Sequence, residues 1–163
     1  MQDNTQSTAM TPALSPQSFH FELKNGVGLI TLSRPARYNA LTFEVYQELS
    51  EFFVTLQKRN EVRSVVLTGE GRAFCSGGDV EDIIGELFSR DMKGLLEFTR
   101  MTGALIQNIR QLRKPVIGAI NGVAVGAGAV IAIACDLRFA SDRARFGFVF
   151  PQVGLCGADM GAT

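Results

Sequence analysis

Two short runs of small residues hold the chemistry open to this chain. Phe74-Cys75-Ser76-Gly77-Gly78-Asp79 and Asn121-Gly122-Val123-Ala124-Val125-Gly126-Ala127-Gly128 each fall between a strand-like run and a helix-like run. At such a junction the first N–H groups of the helix lack acceptors, and small side chains let a ligand approach the backbone. Two loops of this kind can aim two main-chain donors at one oxygen, the arrangement that stabilises charge developing on a carbonyl. The residues therefore predict a pair of amide donors rather than a nucleophile.

Other uses of glycine loops fit less well. Gly126-Ala127-Gly128 begins like a dinucleotide fingerprint, but its third glycine would fall at Ile131, and no acidic residue follows a next strand at the usual offset. No Gly-Lys-Ser or Gly-Lys-Thr occurs, which removes the Walker phosphate loop. Cys75 and Ser76 are poor nucleophile candidates, because the single histidine, His20, belongs to the first hairpin and no Gly-x-Ser-x-Gly elbow is present. Small residues that merely let two backbones pack closely are the remaining alternative, and the repetition of the pattern weighs against it.

The elements that must position the loops can be read from periodicity. Phe19 to Leu23 alternates, Asn25-Gly26 is a hairpin signal, and Gly28 to Leu32 resumes as a strand. Thr42 can cap a helix whose Val45, Leu49, Phe52, Phe53 and Leu56 recur at helical spacing. Val62 to Thr68 reads as a buried strand, Val80 to Phe88 as a short helix, and Asp91 to Leu112 as a longer one that Pro115 prevents from continuing. Val116 to Ile120 is a strand, Val125 to Cys135 a buried helix, and Asp136 to Ala140 and the stretch around Phe146 to Phe150 are strand-like. Strand, loop and helix recur, with the loops leaving the strands' carboxyl ends, so the fold class is α/β.

Composition bounds the rest. The chain has 163 residues, 16 basic against 16 acidic side chains and 46% hydrophobic residues, which suits one globular domain without the basic footprint of a nucleic-acid binder. No basic block follows an apolar helix, as a membrane anchor would require. Cys75, Cys135 and Cys156 are odd in number and widely spaced, so neither a disulfide framework nor a zinc cluster is expected, and a reducing compartment fits. Residues 1–18, rich in Gln, Ser, Thr and Pro, read as a disordered tail without signal or transit features, and 19–163 as the core domain of a cytoplasmic protein. The chain stops at Gly161-Ala162-Thr163 without a capping signal, which reads as truncation.

From about Phe19 onward the chain resembles the crotonase, or enoyl-CoA hydratase/isomerase, superfamily. The landmarks are Arg34-Pro35-x-x-x-Asn39-Ala40-Leu41, Val65 to Gly69, Ala73 to Asp79, Lys114 to Gly122, Cys135-Asp136 and Ala144 to Gly147, in that order. The resemblance implies a spiral of ββα units, a trimer or a hexamer built from two trimers, and an acyl-CoA thioester substrate processed through an enolate. No cofactor is implied beyond the coenzyme A of the substrate. Carried over by position, the amides of Ser76 and Ala127 would hold the thioester oxygen. Coenzyme A would lie against Ala40 and the segment Ala73-Phe74-Cys75-Ser76-Gly77-Gly78-Asp79-Val80, beside Val125, with Arg37 near its phosphates. Asp79 itself reads as a helix cap.

The departures bear on the reaction. Typical hydratases of the family carry two glutamates that hold the added water, and their places here are Val130 and Phe150. Hydration by that carboxylate pair is not expected. Asp159, within Gly154 to Gly161, is the acid in the right neighbourhood, as acid/base group or as a helix cap. Glu81, Asp82, Glu86 and Glu97 read as solvated helix faces. An enoyl-CoA hydratase/isomerase-type enzyme is the leading expectation. A non-catalytic acyl-CoA binder and another branch reaction such as thioester hydrolysis remain as alternatives.

Overall fold

A computed structural model describes residues 14–154, and all structural statements concern these. Asp159 and Cys156 lie outside them.

The chain opens with a hairpin of β1 (Phe19–Lys24) and β2 (Val27–Leu32), paired antiparallel. Asn25 and Gly26 both take positive φ, 52° and 81°, the pair of left-handed residues that a tight hairpin turn matched to strand twist needs. Helix α1 (Phe43–Gln57) starts where the Thr42 hydroxyl accepts the Val45 N–H, as its sequence predicts. Strand β3 (Ser64–Gly69) follows, then β4 (Ala73–Cys75), a π-helical turn over Val80–Ile84 and the single turn α2 (Gly85–Leu87). Helix α3 (Met92–Gln111) is capped by Asp91, which accepts the Gly94 N–H at 2.9 Å. Next come β5 (Val116–Ile120), β6 (Val123–Val125), α4 (Ala127–Ala134), β7 (Leu137–Ala140) and β8 (Arg145–Gly147).

Two sheets result. The larger has the order β1-β2-β3-β5-β7 and is parallel from β2 onward, and the smaller, β4-β6-β8, is parallel throughout. Each of the pairs β3/β4, β5/β6 and β7/β8 places its first strand in the large sheet and its second in the small one. A helix follows the first two of these pairs, which is the expected ββα repetition. Sheets, α1, α3 and α4 enclose one apolar cluster in which Leu49, Leu67, Leu105 and Ile131 are fully buried. Edge-to-face rings tie hairpin to helix: Phe19 and Phe21 meet Phe52 at centroid distances of 5.2 and 4.9 Å.

Three expectations are corrected here. The short strands β4 and β6 stand where the sequence predicted loop. Val125 consequently ends a strand, and the helix it was expected to start begins two residues later, at Ala127. Within the stretch expected as a tail, the Gln17 and Ser18 N–H groups each donate to the Glu48 carboxylate at 2.7 Å, which fixes them to α1.

Candidate active site

The first loop is held from a distance. Tyr38 and Asn39 both adopt left-handed backbone, φ 51° and 57°, just before the chain enters α1. Asparagine tolerates this conformation better than most side chains, and here its amide is also spent internally. The buried Asn39 accepts the Arg34 N–H and donates to the main-chain oxygens of Glu70 and Ala73, all at 2.9 Å. The Tyr38 main-chain oxygen accepts the Ser76 N–H at 3.0 Å. Leu41 then bridges the loop in parallel fashion, donating to Gly77 O and accepting from Asp79 N, both at 2.8 Å. Between these bonds the Gly78 N–H finds no acceptor among the described residues.

The second loop is clamped in the same manner. The Asn121 amide donates to Gly71 O and Ala73 O at 2.9 and 3.0 Å, and its oxygen accepts the Gly69 N–H at 3.2 Å. Asn39 and Asn121 thus converge on one carbonyl, that of Ala73. Gly126, at φ 54°, donates to Gly147 O at 2.8 Å and turns the chain into α4. Ala127 is the first residue of that helix, and its N–H has no internal acceptor among the described residues.

Missing side chains bring the loops together. A Cβ on Gly128 would stand 2.1 Å from Cys75 O, and one on Gly77 would stand 2.9 Å from Val125 O and 3.3 Å from Ala127 N. The two runs singled out in the sequence are therefore in direct contact.

Beside the first loop lies an open cleft of about 340 Å³, lined by Arg37, Ala40, Ser76, Gly78, Asp79 and Val80 together with Ala36 and Tyr38. Ala73, Phe74 and Ala127 are buried and lie outside its lining. The Asp79 side chain, 1% exposed, sits 3.0 Å from Arg37 Nη2 and 3.2 Å from Arg34 Nη1. Arg34 contributes charge rather than an aligned hydrogen bond, because its Nη1 donates to Ala40 O at 2.7 Å and Asp79 Oδ2 receives none. Burial works to raise the Asp79 carboxyl, yet the Arg37 hydrogen bond and the Asp82 and Glu81 amides outweigh it and hold it below the usual carboxylate range. Asp79 is a cap and an ion-pair partner, not a base. Arg37 also meets Glu81 at 2.9 Å, so its charge is already matched by two carboxylates. Burial pushes the Cys75 thiol up to about 12, which rules against a thiolate nucleophile. Among the described residues no cluster of His, Cys, Asp or Glu is set to hold a metal ion.

The model of the family described as enoyl-CoA hydratase/isomerase matches residues 22–163. The chain belongs to the enoyl-CoA hydratase/isomerase family. Its fold is that of crotonase-type structures. A solved structure from Streptomyces coelicolor A3(2) superposes with a TM-score of 0.87 at 49% identity, covering 99% of this chain and 58% of that one. An enoyl-CoA hydratase/isomerase from Mycobacterium paratuberculosis superposes with a TM-score of 0.81 at 30% identity, over 90% of this chain and 58% of the other. Among curated proteins, the 1,2-epoxyphenylacetyl-CoA isomerase of Escherichia coli K12 is 35% identical over 86% of this chain and 53% of its own length. The chain spans about half the length of the curated relatives it matches.

Within this enoyl-CoA hydratase/isomerase fold, one expectation fails and others gain a setting. Ser76 lines the cleft, but its N–H is not a free donor: Tyr38 O holds it. The unspent N–H of the first loop belongs to Gly78, which the sequence singled out only as a contact. The two places where the resemblance puts water-holding glutamates carry the buried apolar side chains of Val130 and Phe150. The Phe150 ring approaches within 3.9 Å of where a Gly126 Cβ would stand, so it flanks the second loop. Tyr38 and Arg72 went unnoticed in the sequence, since nothing in their spacing marks a ring and a guanidinium that meet only in the fold.

Proposed function

We propose that the chain carries the acyl-CoA site of an enoyl-CoA hydratase/isomerase-type enzyme, with the Gly78 and Ala127 N–H groups as its oxyanion hole. The observation that carries this reading is the pair of main-chain donors without internal acceptors, on two loops in direct contact. A thioester carbonyl oxygen placed between them gains negative charge when a proton leaves the adjacent carbon. Two pre-set donors stabilise that enolate more than the neutral thioester, each by about 3 kcal/mol in the transition state. Ala40, Ser76 and Val80 line the cleft that receives the rest of the ligand, while Asp79 fixes the loop by capping it.

The proton is returned at a neighbouring carbon, and Asp159 is the group assigned to move it. With Val130 and Phe150 apolar, a proton shift that relocates a double bond suits the site better than addition of water. The same two side chains favour, as second reading, an acyl-CoA binder without turnover. The reading also takes the protein as a cytoplasmic homotrimer or dimer of trimers acting in fatty acid metabolism. Among the described residues no helix is long and apolar enough to cross a membrane.

Incubation with 2-enoyl- and 3-enoyl-CoA thioesters, followed by mass spectrometry and NMR, tests the proposal. A moved double bond supports isomerase chemistry, a mass gain of one water supports hydration, and free coenzyme A indicates hydrolysis. Binding without conversion establishes the second reading. Absence of any coenzyme A thioester binding by calorimetry overturns both.

A further inference from the structure

Gly77 and Gly78 are adjacent, and without side chains neither restricts its own peptide plane. Gly77 takes φ 95°, and two bonds pin it there. Its carbonyl oxygen accepts the Leu41 N–H at 2.8 Å, and its N–H is donated to the Cys75 sulfur at 3.4 Å. The Gly77 carbonyl and the Gly78 N–H share one planar trans peptide, so they point in opposite directions. Whatever sets the tilt of Gly77 therefore sets the direction of the unspent N–H that follows it.

Cys75 also reaches the second loop. It is fully buried, and its carbonyl oxygen lies 2.1 Å from where a Gly128 Cβ would stand, in the first turn of α4 beside Ala127. Gly77 in turn packs against the other donor, since a Cβ on it would stand 3.3 Å from Ala127 N. One residue thus braces both donors, through its sulfur on the first loop and its main chain on the second. Sulfur is a weak acceptor, so its bond to Gly77 matters for direction more than for strength. Without that bond the peptide ending in the Gly78 N–H is held on one side alone, by Leu41. We infer that the Cys75 thiol is a positioning residue of the oxyanion hole, aiming the Gly78 N–H through Gly77. The inference rests on the acyl-CoA reading and adds to it a buried side chain outside the cleft lining.

Two measurements on the 163-residue chain test this. Infrared spectroscopy of bound butanoyl-CoA, a saturated thioester with no double bond to move, reads the polarisation of its carbonyl. Amide hydrogen exchange by NMR reads the loop in the free chain. In the parent the bound carbonyl stretch should lie below that of free butanoyl-CoA. In C75A this shift should shrink by about half and Gly77 should exchange about tenfold faster. C75S, whose hydroxyl can accept the same N–H, should restore both, which a merely smaller core side chain would not do. C75V supplies a second variant without an acceptor should C75A not fold. A carbonyl stretch in C75A or C75V equal to that of the parent overturns the inference alone, as does a loss that C75S fails to restore. A parent that binds butanoyl-CoA with no carbonyl shift overturns the oxyanion hole, and one that does not bind it overturns the acyl-CoA reading. The assignment of Cys75 falls with either.

Discussion

The Ser76 N–H is donated to the main-chain oxygen of Tyr38, 3.0 Å away. This bond joins the first glycine loop to a pair of left-handed residues that come before α1. It also moves the free donor of the loop two residues on, to Gly78. Loss of the Ser76 bond and loss of an unspent donor should therefore have opposite signatures. Ala127→Pro removes an N–H at the first position of a helix, where proline is tolerated. It should lower kcat roughly 100- to 1,000-fold with little change in melting temperature. Ser76→Pro should instead cost about 1 kcal/mol or more in urea unfolding, through the lost bond to Tyr38. Steady-state kinetics and denaturation of both variants check the contrast, and unchanged turnover in Ala127→Pro would remove Ala127 from the site.

Asn39 makes three internal bonds from a left-handed backbone. Replacement by alanine strands the Arg34 N–H and the Glu70 carbonyl, leaves Ala73 O to Asn121 alone, and puts a residue less tolerant of positive φ at this position. We expect a loss of about 2–4 kcal/mol in chemical denaturation. A cost below about 1 kcal/mol would show that the clamp on Ala73 O is dispensable.

Asp79 links stability to acidity. Its carboxyl titrates lower in the folded chain than in the unfolded one, so its contribution is fully present above the usual value near 3.8. That contribution disappears as pH falls from there through the lowered folded value. Asp79→Asn should cost about 2 kcal/mol at neutral pH and remove this part of the acid dependence. Thermal melting between neutral pH and the acid limb measures it, and parallel profiles for variant and parent would refute the assignment.

The glycines divide by what surrounds them. Gly128→Ala drives a methyl into Cys75 O and should destabilise by roughly 3 kcal/mol or leave the chain insoluble. Gly103, within α3, has nothing within 4 Å of its added Cβ, and Gly103→Ala should stabilise by about 0.5–1 kcal/mol. Equal effects at the two sites would contradict the close approach of the loops.

Cys75 and Cys135 are buried, with thiols pushed up to about 12 by burial. Iodoacetamide applied to the folded chain at neutral pH should leave both unmodified, and unfolding should expose them to reaction. Peptide mass spectrometry reads the outcome, and rapid native labelling of Cys75 would show that the β4 end of the first loop opens.

The helices and the large sheet were legible because their signals are local. Thr42 and Asp91 announce their helices by residue type, and Leu49, Phe53 and Leu56 by period. The small sheet was not legible, since β4 and β6 span three residues each, too few for alternation to register. The position of both loops could be read from their small residues, but the identity of the donor could not. Four successive N–H groups from Ser76 to Asp79 look alike in sequence, and which one is left unspent is decided by Tyr38 and Leu41 far upstream and by the Cys75 sulfur, which accepts the Gly77 N–H. The setting of charge was hidden for a similar reason: Arg37 is conspicuous as a cation, yet its carboxylate partners are assembled only by the fold.

The two unspent N–H groups belong to the main chain, and that limits what side-chain replacement can reveal about them. An alanine scan would leave Ala127 as it is and would keep the N–H at Gly78. The atoms most important to the proposed chemistry would look inert in such a screen, and a peptide-to-ester exchange at either residue would be needed to expose them.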